Sequence, residues 1–238
     1  METAAHLNLK RAALLWAQEH GYQSVGWEIR VPKSSYRADV AAYRSARQSR
    51  EVGSTALFEC KQARSDFLRD HHDGSACLER FSSLNARRSR LERLLRIHHP
   101  TLRGGDSLFQ DFESVDLSQL PHRGYQTVRR ELASTQRALF GGTKLHKMVR
   151  WKCANLFYLV APSDLIRPEE LPSSWALLSP PKEADLQDLS APPPPLTLHQ
   201  RPHWVDAPEP HRLQLVERIA RRTTLFTNRE AQLELFPA

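Results

Sequence analysis

The sequence predicts an α/β fold in which a mixed central sheet of four to five strands is flanked by helices and carries a helical insertion. A helical segment comes first, and three strand-like segments follow it. Two short, strongly apolar segments appear much later, after a long polar region of helical character. This order of elements is typical of a layered sheet-and-helix domain and not of a helical bundle.

The first elements are recognised by the spacing of their apolar side chains. Residues 7–20 are apolar at helical intervals and are followed by Gly21, which predicts a helix and its end. Residues 25–31 alternate apolar with polar side chains, as a half-buried strand does. The same alternation predicts a second strand over residues 36–43, and the mainly apolar segment 55–61 predicts a third.

Two long helices are predicted after the third strand, over residues 75–98 and 125–140, with a loop-like stretch over residues 99–123 between them. A short helix over residues 66–70, capped by Ser65, precedes them. The first long helix carries an apolar stripe, formed by Leu78, Phe81, Leu84, Leu91, Leu94 and Leu95. We expect this stripe to pack inward and the arginines on the other faces to meet solvent.

Strands return after the helices. The apolar runs 156–161 and 175–178 are too short for buried helices, which favours two buried strands. We therefore assign residues 1–178 to one domain with residues 74–147 as its helical insertion. Two segments follow this domain, a proline-rich extended segment over residues 179–211 and a C-terminal helix and tail over residues 212–238.

Composition narrows the class of protein. Hydrophobic residues make up 40% of the chain, which is enough to build a core. No apolar run approaches the roughly 18 residues of a membrane-spanning helix, and the N-terminus lacks the basic and apolar regions of a signal peptide. The cysteines Cys60, Cys77 and Cys153 are too few for a disulfide framework. We expect a cytoplasmic protein with no membrane association.

The charge of the chain suggests a polyanionic partner. The net charge is +7, most of the basic residues are arginines, and the excess lies in the N-terminal two thirds, whereas residues 153–238 are net acidic. Arginine binds phosphate through two parallel hydrogen bonds, which favours DNA, although a solvated basic surface has the same composition. The arginines predicted to contact DNA lie on the first long helix, at Arg87, Arg88, Arg90, Arg93 and Arg96.

The residues that indicate chemistry lie in two neighbouring strands. Glu59 and Lys61 are two positions apart on one strand, so their side chains point to the same face. Asp39 stands between Ala38 and Val40 in the preceding strand, where an apolar residue is expected. If the two strands pair, both carboxylates and the lysine converge on one point.

Hydrolysis of a phosphodiester explains this combination of side chains. Mg²⁺, with Mn²⁺ as a substitute, binds through one or two carboxylates while keeping water and substrate oxygens in its shell. Asp39 and Glu59 are the predicted metal ligands, and the backbone carbonyl of Cys60 is a further candidate. Lys61 is predicted to stabilise the attacking hydroxide and the charge that develops on phosphorus.

Three more residues are candidates for this site, each with a structural alternative. Glu28 is either a third acid of the site or the partner of Arg30 in a surface ion pair. Arg64 and Asp66 follow the third strand directly. They either order Lys61 and contact phosphate, or, in the case of Asp66, serve to cap the short helix.

Three segments together resemble the MmcB-like DNA repair branch of the PD-(D/E)XK (restriction-endonuclease-like) nuclease superfamily. They are Tyr36-Arg37-Ala38-Asp39-Val40, Phe58-Glu59-Cys60-Lys61 and Arg64-Ser65-Asp66-Phe67-Leu68. The resemblance covers about residues 7–73 and 148–178. It departs from the family pattern at Ala63, where a serine is usual, and in residues 74–147, which look like an insertion foreign to the family.

The residues and the resemblance lead to one expected function and two alternatives. We expect a Mg²⁺-dependent endonuclease that hydrolyses DNA in repair or in antiviral defence, with Asp39, Glu59 and Lys61 as catalytic residues. One alternative is a non-catalytic DNA-binding or scaffold protein on the same fold. The other is a nuclease subunit that is active only in a larger complex, with the proline-rich or C-terminal segment binding a protein partner.

Overall fold

A six-stranded mixed sheet flanked by helices forms the centre of the molecule. The structure, a computed structural model, describes residues 2–46, 52–68, 75–98, 122–172 and 174–235. The predicted α/β class is confirmed, and the sheet has one strand more than expected. The loop predicted over residues 99–123 lies outside the described residues except at its last two positions.

The strands are β1 (Ser24–Arg30), β2 (Arg37–Arg44), β3 (Ser54–Cys60), β4 (Leu156–Val160), β5 (Trp175–Ser179) and β6 (Thr197–Gln200). The helices are α1 (Ala4–Glu19), α2 (Arg64–Leu68), α3 (Ser75–His98), α4 (Arg123–Phe140), α5 (Lys144–Arg150) and α6 (Glu209–Leu235), with a 3₁₀ turn at Pro168–Glu170.

The strands lie side by side in the order of the sequence. β1, β2 and β3 are antiparallel, β3, β4 and β5 are parallel, and β6 returns antiparallel to β5 at the edge. A parallel neighbour requires a long crossover connection, and helices α2 to α5 provide the one from β3 to β4. The helical insertion is therefore the crossover that joins the two middle strands.

Two apolar cores fill the two sides of the sheet. On one side, α1 packs Leu9, Ala13 and Trp16 against Phe58 and Tyr158. On the other, α5 and α6 cover the opposite side chains of the same strands, including Leu145, Met148, Leu215, Ile219, Leu57 and Phe157. β3 is buried along its whole length because both of its faces are covered.

Helices α3 and α4 pack on each other and form a third, smaller core. Phe81 and Phe140 meet edge to face, with ring centroids 5.3 Å apart. Asn85 joins this pair to the main domain, because its Nδ2 donates to the backbone carbonyls of Glu169 and Leu171, at 2.9 and 3.0 Å. One prediction is wrong here: Leu94 of the expected apolar stripe is 45% exposed.

The proline-rich segment packs on α1 instead of standing free. Asn8 donates to the carbonyls of Leu186 and Asp188, and Arg11 donates to that of Leu189. The segment also supplies β6, the strand that the sequence did not predict. Among the described residues, no helix combines the length and the apolar character that spanning a membrane requires.

Candidate functional site

Three carboxylates form a row across the first three strands. In the antiparallel registers, Glu28 and Asp39 lie between the pairs Trp27–Val40 and Ile29–Ala38, and Asp39 and Glu59 follow the pair Val40–Phe58, so the three acids stand at neighbouring positions. Glu28 adopts φ +52°, a left-handed conformation that costs a side-chain-bearing residue about 1–3 kcal/mol and that proteins retain mainly at functional sites. Three acids at adjacent positions repel one another, so the row requires cations nearby.

The alternation of β2 shifts by one residue at Asp39. Ala38 and Ala41 pack into the same core although three positions separate them, while Val40 packs into the core on the other side. The carboxylate of Asp39 is thereby turned toward the next strand, where its Oδ2 accepts a hydrogen bond of 2.7 Å from the backbone N–H of Cys60. The shift fixes Asp39 beside the end of β3.

The predicted catalytic residues line one open cleft of about 700 Å³, which we call the carboxylate cleft. Its strand residues are Glu28, Asp39, Glu59 and Cys60, Lys61 follows directly, and α2 adds Asp66. The N-terminal segment and α1 close one side with Glu2, Thr3, His6 and Lys10. The cleft therefore collects acidic and basic side chains from elements far apart in the sequence.

Asp39 is held in its charged form. His6 Nε2 lies 3.4 Å from Oδ1 and Lys10 Nζ lies 3.6 Å from the same atom. Burial opposes the charge, but the hydrogen bonds from His6 and from the Cys60 backbone outweigh it and lower the pKa of Asp39 below its ordinary value. A carboxylate that remains ionised is a suitable metal ligand.

Glu59 has the opposite electrostatic character. Its side chain is 4% exposed, and burial raises its pKa to about 7, with Lys144 opposing the shift and Asp39 adding to it. Lys144 Nζ lies 2.7 Å from Oε1 and 2.8 Å from Oε2, and it donates a hydrogen bond to Oε2. Within the described part of the chain, the buried Oε1 accepts no hydrogen bond.

Lys144 reaches Glu59 because of a local turn. Gly142, at φ +85°, and Thr143 precede α5, and the Thr143 hydroxyl caps the helix by accepting from the backbone N–H of His146. Lys144 is thus the first residue of α5, where the positive end of the helix disfavours a cation. The carboxylate of Glu59 compensates for that repulsion.

Lys10 forms the second cationic centre of the cleft. Its side chain is 4% exposed and contacts Glu2 at 2.7 Å and, more closely, Glu28. Burial opposes its charge, yet the hydrogen bonds to Glu2 and Glu28 raise its pKa. The alternative that paired Glu28 with Arg30 is wrong, since Glu28 faces the cleft and Lys10.

Of the other predicted residues, Lys61 and Asp66 line the cleft and Arg64 does not. Lys61 follows β3, and its backbone N–H donates to the carbonyl of Val160 at 2.9 Å. Arg64 donates through Nη1 and Nη2 to the two oxygens of the buried Glu170, at 2.6 and 2.7 Å. The structure therefore places Arg64 in an ion pair that ties α2 to the segment before β5.

The arginines of α3 divide into two groups. Arg87, Arg90 and Arg93 are exposed. Arg88 is buried, and its Nε lies 3.5 Å from Oε1 of Glu92, so its predicted contact with DNA is wrong for the molecule as folded. The side chain of Arg96 lies outside the described residues.

The cleft fits a hard divalent cation held by few protein ligands. Among the described residues, no group of three or more His, Cys, Asp or Glu side chains is arranged to hold a metal. Mg²⁺ requires less than that, because it binds through one or two carboxylates and keeps water or substrate oxygens. The charged Asp39 meets that requirement, and Glu59 adds a second carboxylate where the metal displaces Lys144, whose Nζ lies 2.7 Å from Oε1.

The sequence did not reveal three basic residues of the site, namely His6 and Lys10, which line the cleft, and Lys144, which contacts Glu59. His6 and Lys10 are four positions apart on α1 and therefore lie on one helical face, a pattern visible in the sequence. Lys144 has no such signal beyond the glycine and threonine before it, because its contact depends on how α5 packs.

Comparison with known proteins adds little. No known protein family matches the sequence, and no curated protein does. Among solved structures, a protein of unknown function from Silicibacter pomeroyi aligns over 100% of this chain and 95% of its own, with 13% identity and a TM-score of 0.48.

Proposed function

We propose that this chain is a metal-dependent endonuclease that hydrolyses DNA phosphodiester bonds. One observation supports the proposal above all others. Asp39, Glu59 and Lys61 line a single cleft that is open to solvent, although they come from different strands and stand where sheet residues are usually apolar. Their likeness to the PD-(D/E)XK pattern is part of the same proposal.

Asp39 and Glu59 are the residues that would hold Mg²⁺, or Mn²⁺ in its place. When bound, the ion supplies charge neutralisation at the phosphate and a more acidic water. The chain's own contribution is to keep Asp39 ionised through His6 and the Cys60 backbone, and to hold Glu59 with Lys144. Lys61, at the rim, is placed to donate to a non-bridging phosphate oxygen and stabilise its developing charge.

The basic residues around the carboxylates favour a polyanionic substrate. Lys10, Lys61 and Lys144 approach the three-acid row from α1, β3 and α5, and His6 adds a fourth basic group. A site that bound only a free metal ion would gain nothing from these cations, since they repel it. A site that binds metal and phosphate together requires both signs of charge.

A non-catalytic DNA-binding protein is the second candidate, and one contact favours it. Lys144 lies within 2.8 Å of both oxygens of Glu59, so a cation of the chain already occupies the place beside one metal ligand. A protein that had lost its metal would use such a lysine to satisfy the buried carboxylate permanently. The two candidates differ in whether metal displaces Lys144.

The decisive experiment is a cleavage assay with supercoiled plasmid and labelled oligonucleotides, run with Mg²⁺, with Mn²⁺ and with EDTA. We expect cleavage with either metal and none with EDTA. Glu59→Ala should abolish cleavage and keep DNA binding, because it removes a metal ligand and leaves the basic surface intact. Glu19→Ala, an exposed change on α1, is the matched control and should cleave like the parent.

The same assay separates the candidates. DNA binding without cleavage under any metal condition would support the non-catalytic protein. Cleavage that Glu59→Ala leaves unchanged would place the activity at another site. Activity that appears only after adding a cell extract would indicate a subunit of a larger complex.

A further inference from the structure

A second cavity, of about 110 Å³, lies on the α1 side of the sheet. Trp16, Tyr22 and Tyr158 form its floor, and His20, Arg44 and Arg201 form its rim. We call it the aromatic cavity, and we propose that it binds a phosphate group. Arg44 is five residues from Asp39 along β2, so the cavity lies roughly 17 Å from the carboxylate cleft at about 3.3 Å per residue.

The floor of the aromatic cavity is rigid. Trp16, Tyr22 and Tyr158 are between 1% and 5% exposed. The rings of Trp16 and Tyr158 lie 5.1 Å apart, and Phe58 stacks on Tyr158 at 4.7 Å. Side chains packed this closely do not move apart to admit a large ligand.

Two of the rim residues, Arg44 and His20, are held by contacts with the floor and with the end of α1. The Arg44 guanidinium lies over the Tyr22 ring, 5.1 Å from its centroid, and its Nη1 donates to the carbonyl of His20. The His20 ring stacks on Trp16 at 3.8 Å, and its Nδ1 lies 2.7 Å from the Trp16 carbonyl. Both groups are thus oriented before any ligand arrives, which lowers the entropy cost of binding.

The chemistry of the lining selects a compact anion. Two arginines line the cavity, and none of the described residues that line it is acidic. Arginine matches phosphate through paired hydrogen bonds. A nucleobase is a poorer fit, because His20 already covers the face of Trp16 and Arg44 covers that of Tyr22.

Capping of α1 accounts for only half of this arrangement. The carbonyl end of a helix attracts cations, which explains the position of Arg44. It does not explain Arg201, which follows β6 at the far edge of the sheet and brings a second guanidinium to the same cavity. Two arginines from separate elements converge where a doubly charged ligand would be bound.

Two sources of phosphate fit this cavity, a backbone phosphate of DNA or a free phosphate. The first rests on the proposed nuclease function and makes the cavity an anchor for the duplex away from the cleaved bond. The second is independent of that function. Both share the same contacts with Arg44 and Arg201, so one pair of variants tests them together.

The experiment measures binding in EDTA, so that it does not depend on cleavage. Inorganic phosphate is titrated against chloride at equal ionic strength, with the indole N–H signal of Trp16 as the readout, and a short duplex is titrated separately. The variants are Arg201→Gln and the double change Arg44→Gln with Arg201→Gln. Arg221→Gln, exposed on α6, is the matched control.

We expect saturable phosphate binding that the double variant weakens at least about tenfold and the control leaves unchanged. If the duplex is the source, the double variant also lowers the salt slope of DNA binding by about 1, one phosphate contact. If only free phosphate binds, the duplex affinity stays as in the parent. A phosphate titration that matches chloride, or one that neither variant changes, would overturn the proposal. Should Arg44→Gln fail to fold, the exposed Arg201→Gln carries the test alone.

Discussion

Two glutamates of this protein, Glu59 and Glu170, are both buried but differ in pKa. Glu59 and Glu170 are 3% and 1% exposed, and each contacts a basic side chain. For Glu170, burial is outweighed by hydrogen bonds from Arg64, the Arg167 backbone and the Arg167 side chain, and its pKa falls to about 2. For Glu59, burial prevails and the pKa rises to about 7.

The difference lies in how completely the charge is compensated. Both oxygens of Glu170 receive hydrogen bonds with good geometry, from Arg64 and from Arg167. Glu59 lies beside the charged Asp39 and has a single amine, that of Lys144, which donates a hydrogen bond to Oε2 and lies 2.7 Å from Oε1. A buried acid with several hydrogen-bond donors serves the fold, whereas one with a single amine beside an open cleft is suited to an additional cation.

Replacing each glutamate with glutamine should affect a different property, cleavage for Glu59 and stability for Glu170. This is the largest effect we expect. Glu59→Gln should lower cleavage at least about 10²-fold without lowering the free energy of unfolding. Glu170→Gln should lower the free energy of unfolding by about 2 kcal/mol, because Arg64 loses its carboxylate, and keep cleavage per folded molecule. Urea denaturation and the cleavage assay measure the two quantities.

The proposed difference between the two glutamates would be wrong if both variants lost stability and activity together. That result would mean that Glu59 also holds the fold. Glu92→Gln, a change in the α3–α4 pair, controls for the loss of a structural carboxylate far from the cleft.

The two glutamates should also respond to pH in opposite directions. The pKa of Glu170 lies below its ordinary 4.5, so its stabilisation is present above 4.5 and is lost as the pH falls toward 2. The pKa of Glu59 lies above 4.5, so the stability from its protonated form is lost as the pH rises from 4.5 to 7. Each change is at most about 2–3 kcal/mol.

Urea unfolding in EDTA from pH 3 to pH 8 checks this expectation. Glu170→Gln should flatten the acid side of the stability curve, and Glu59→Gln should flatten the part between pH 4.5 and 7. Parallel curves for parent and variants would show that neither carboxyl group controls the pH dependence.

The periodicity of the strands predicted that Asp39, Glu59 and Lys61 belong to one site. The position of Lys144 depends instead on how a helix packs. Glu59 and Lys61 could be paired from sequence because side chains two apart on a strand share a face. Asp39 followed from the neighbouring strand. Lys144 lies 85 positions from Glu59, and no local pattern indicates where α5 will pack. The crossover between two parallel strands brings it there.

The sequence did not predict β6 or the buried face of α3 correctly, and the cause is the same. Contacts between residues distant in the sequence determine both. β6 is an exposed edge strand of four residues, so it lacks the alternation that reveals a half-buried strand. In α3, the position of α4 determines which face is buried. Glu92, which Tyr125 also contacts, forms an ion pair with Arg88 inside that interface, and Leu94 is left outside.

Lys144→Ala should have an intermediate effect on the proposed reaction. Without its amine, the buried Glu59 loses the contact that favours its charge, so its pKa rises further. We expect cleavage at pH 7 to fall about tenfold and the acid limb of the pH–rate profile to move to higher pH. Lys147→Ala, also on α5 but in contact with Tyr36, should leave the profile unchanged. An unshifted profile in Lys144→Ala would mean that Lys144 does not position Glu59.

The smallest effect we expect comes from the arginines of α3. Exposed and buried arginines of this helix should differ in whether their replacement changes DNA binding or stability. Arg87, Arg90 and Arg93 are exposed, so replacing all three with Gln should weaken DNA binding and lower its salt slope by up to about 3. The helix should remain folded, because Gln is a good helix former. Arg88→Gln removes a buried partner of Glu92, so it should cost about 1 kcal/mol of stability and leave the salt slope unchanged. Fluorescence anisotropy at several salt concentrations, with urea denaturation in parallel, measures both.

If the triple variant binds like the parent, α3 contributes no phosphate contacts and the DNA surface lies elsewhere. If Arg88→Gln flattens the slope, Arg88 leaves its interface with α4 when DNA binds.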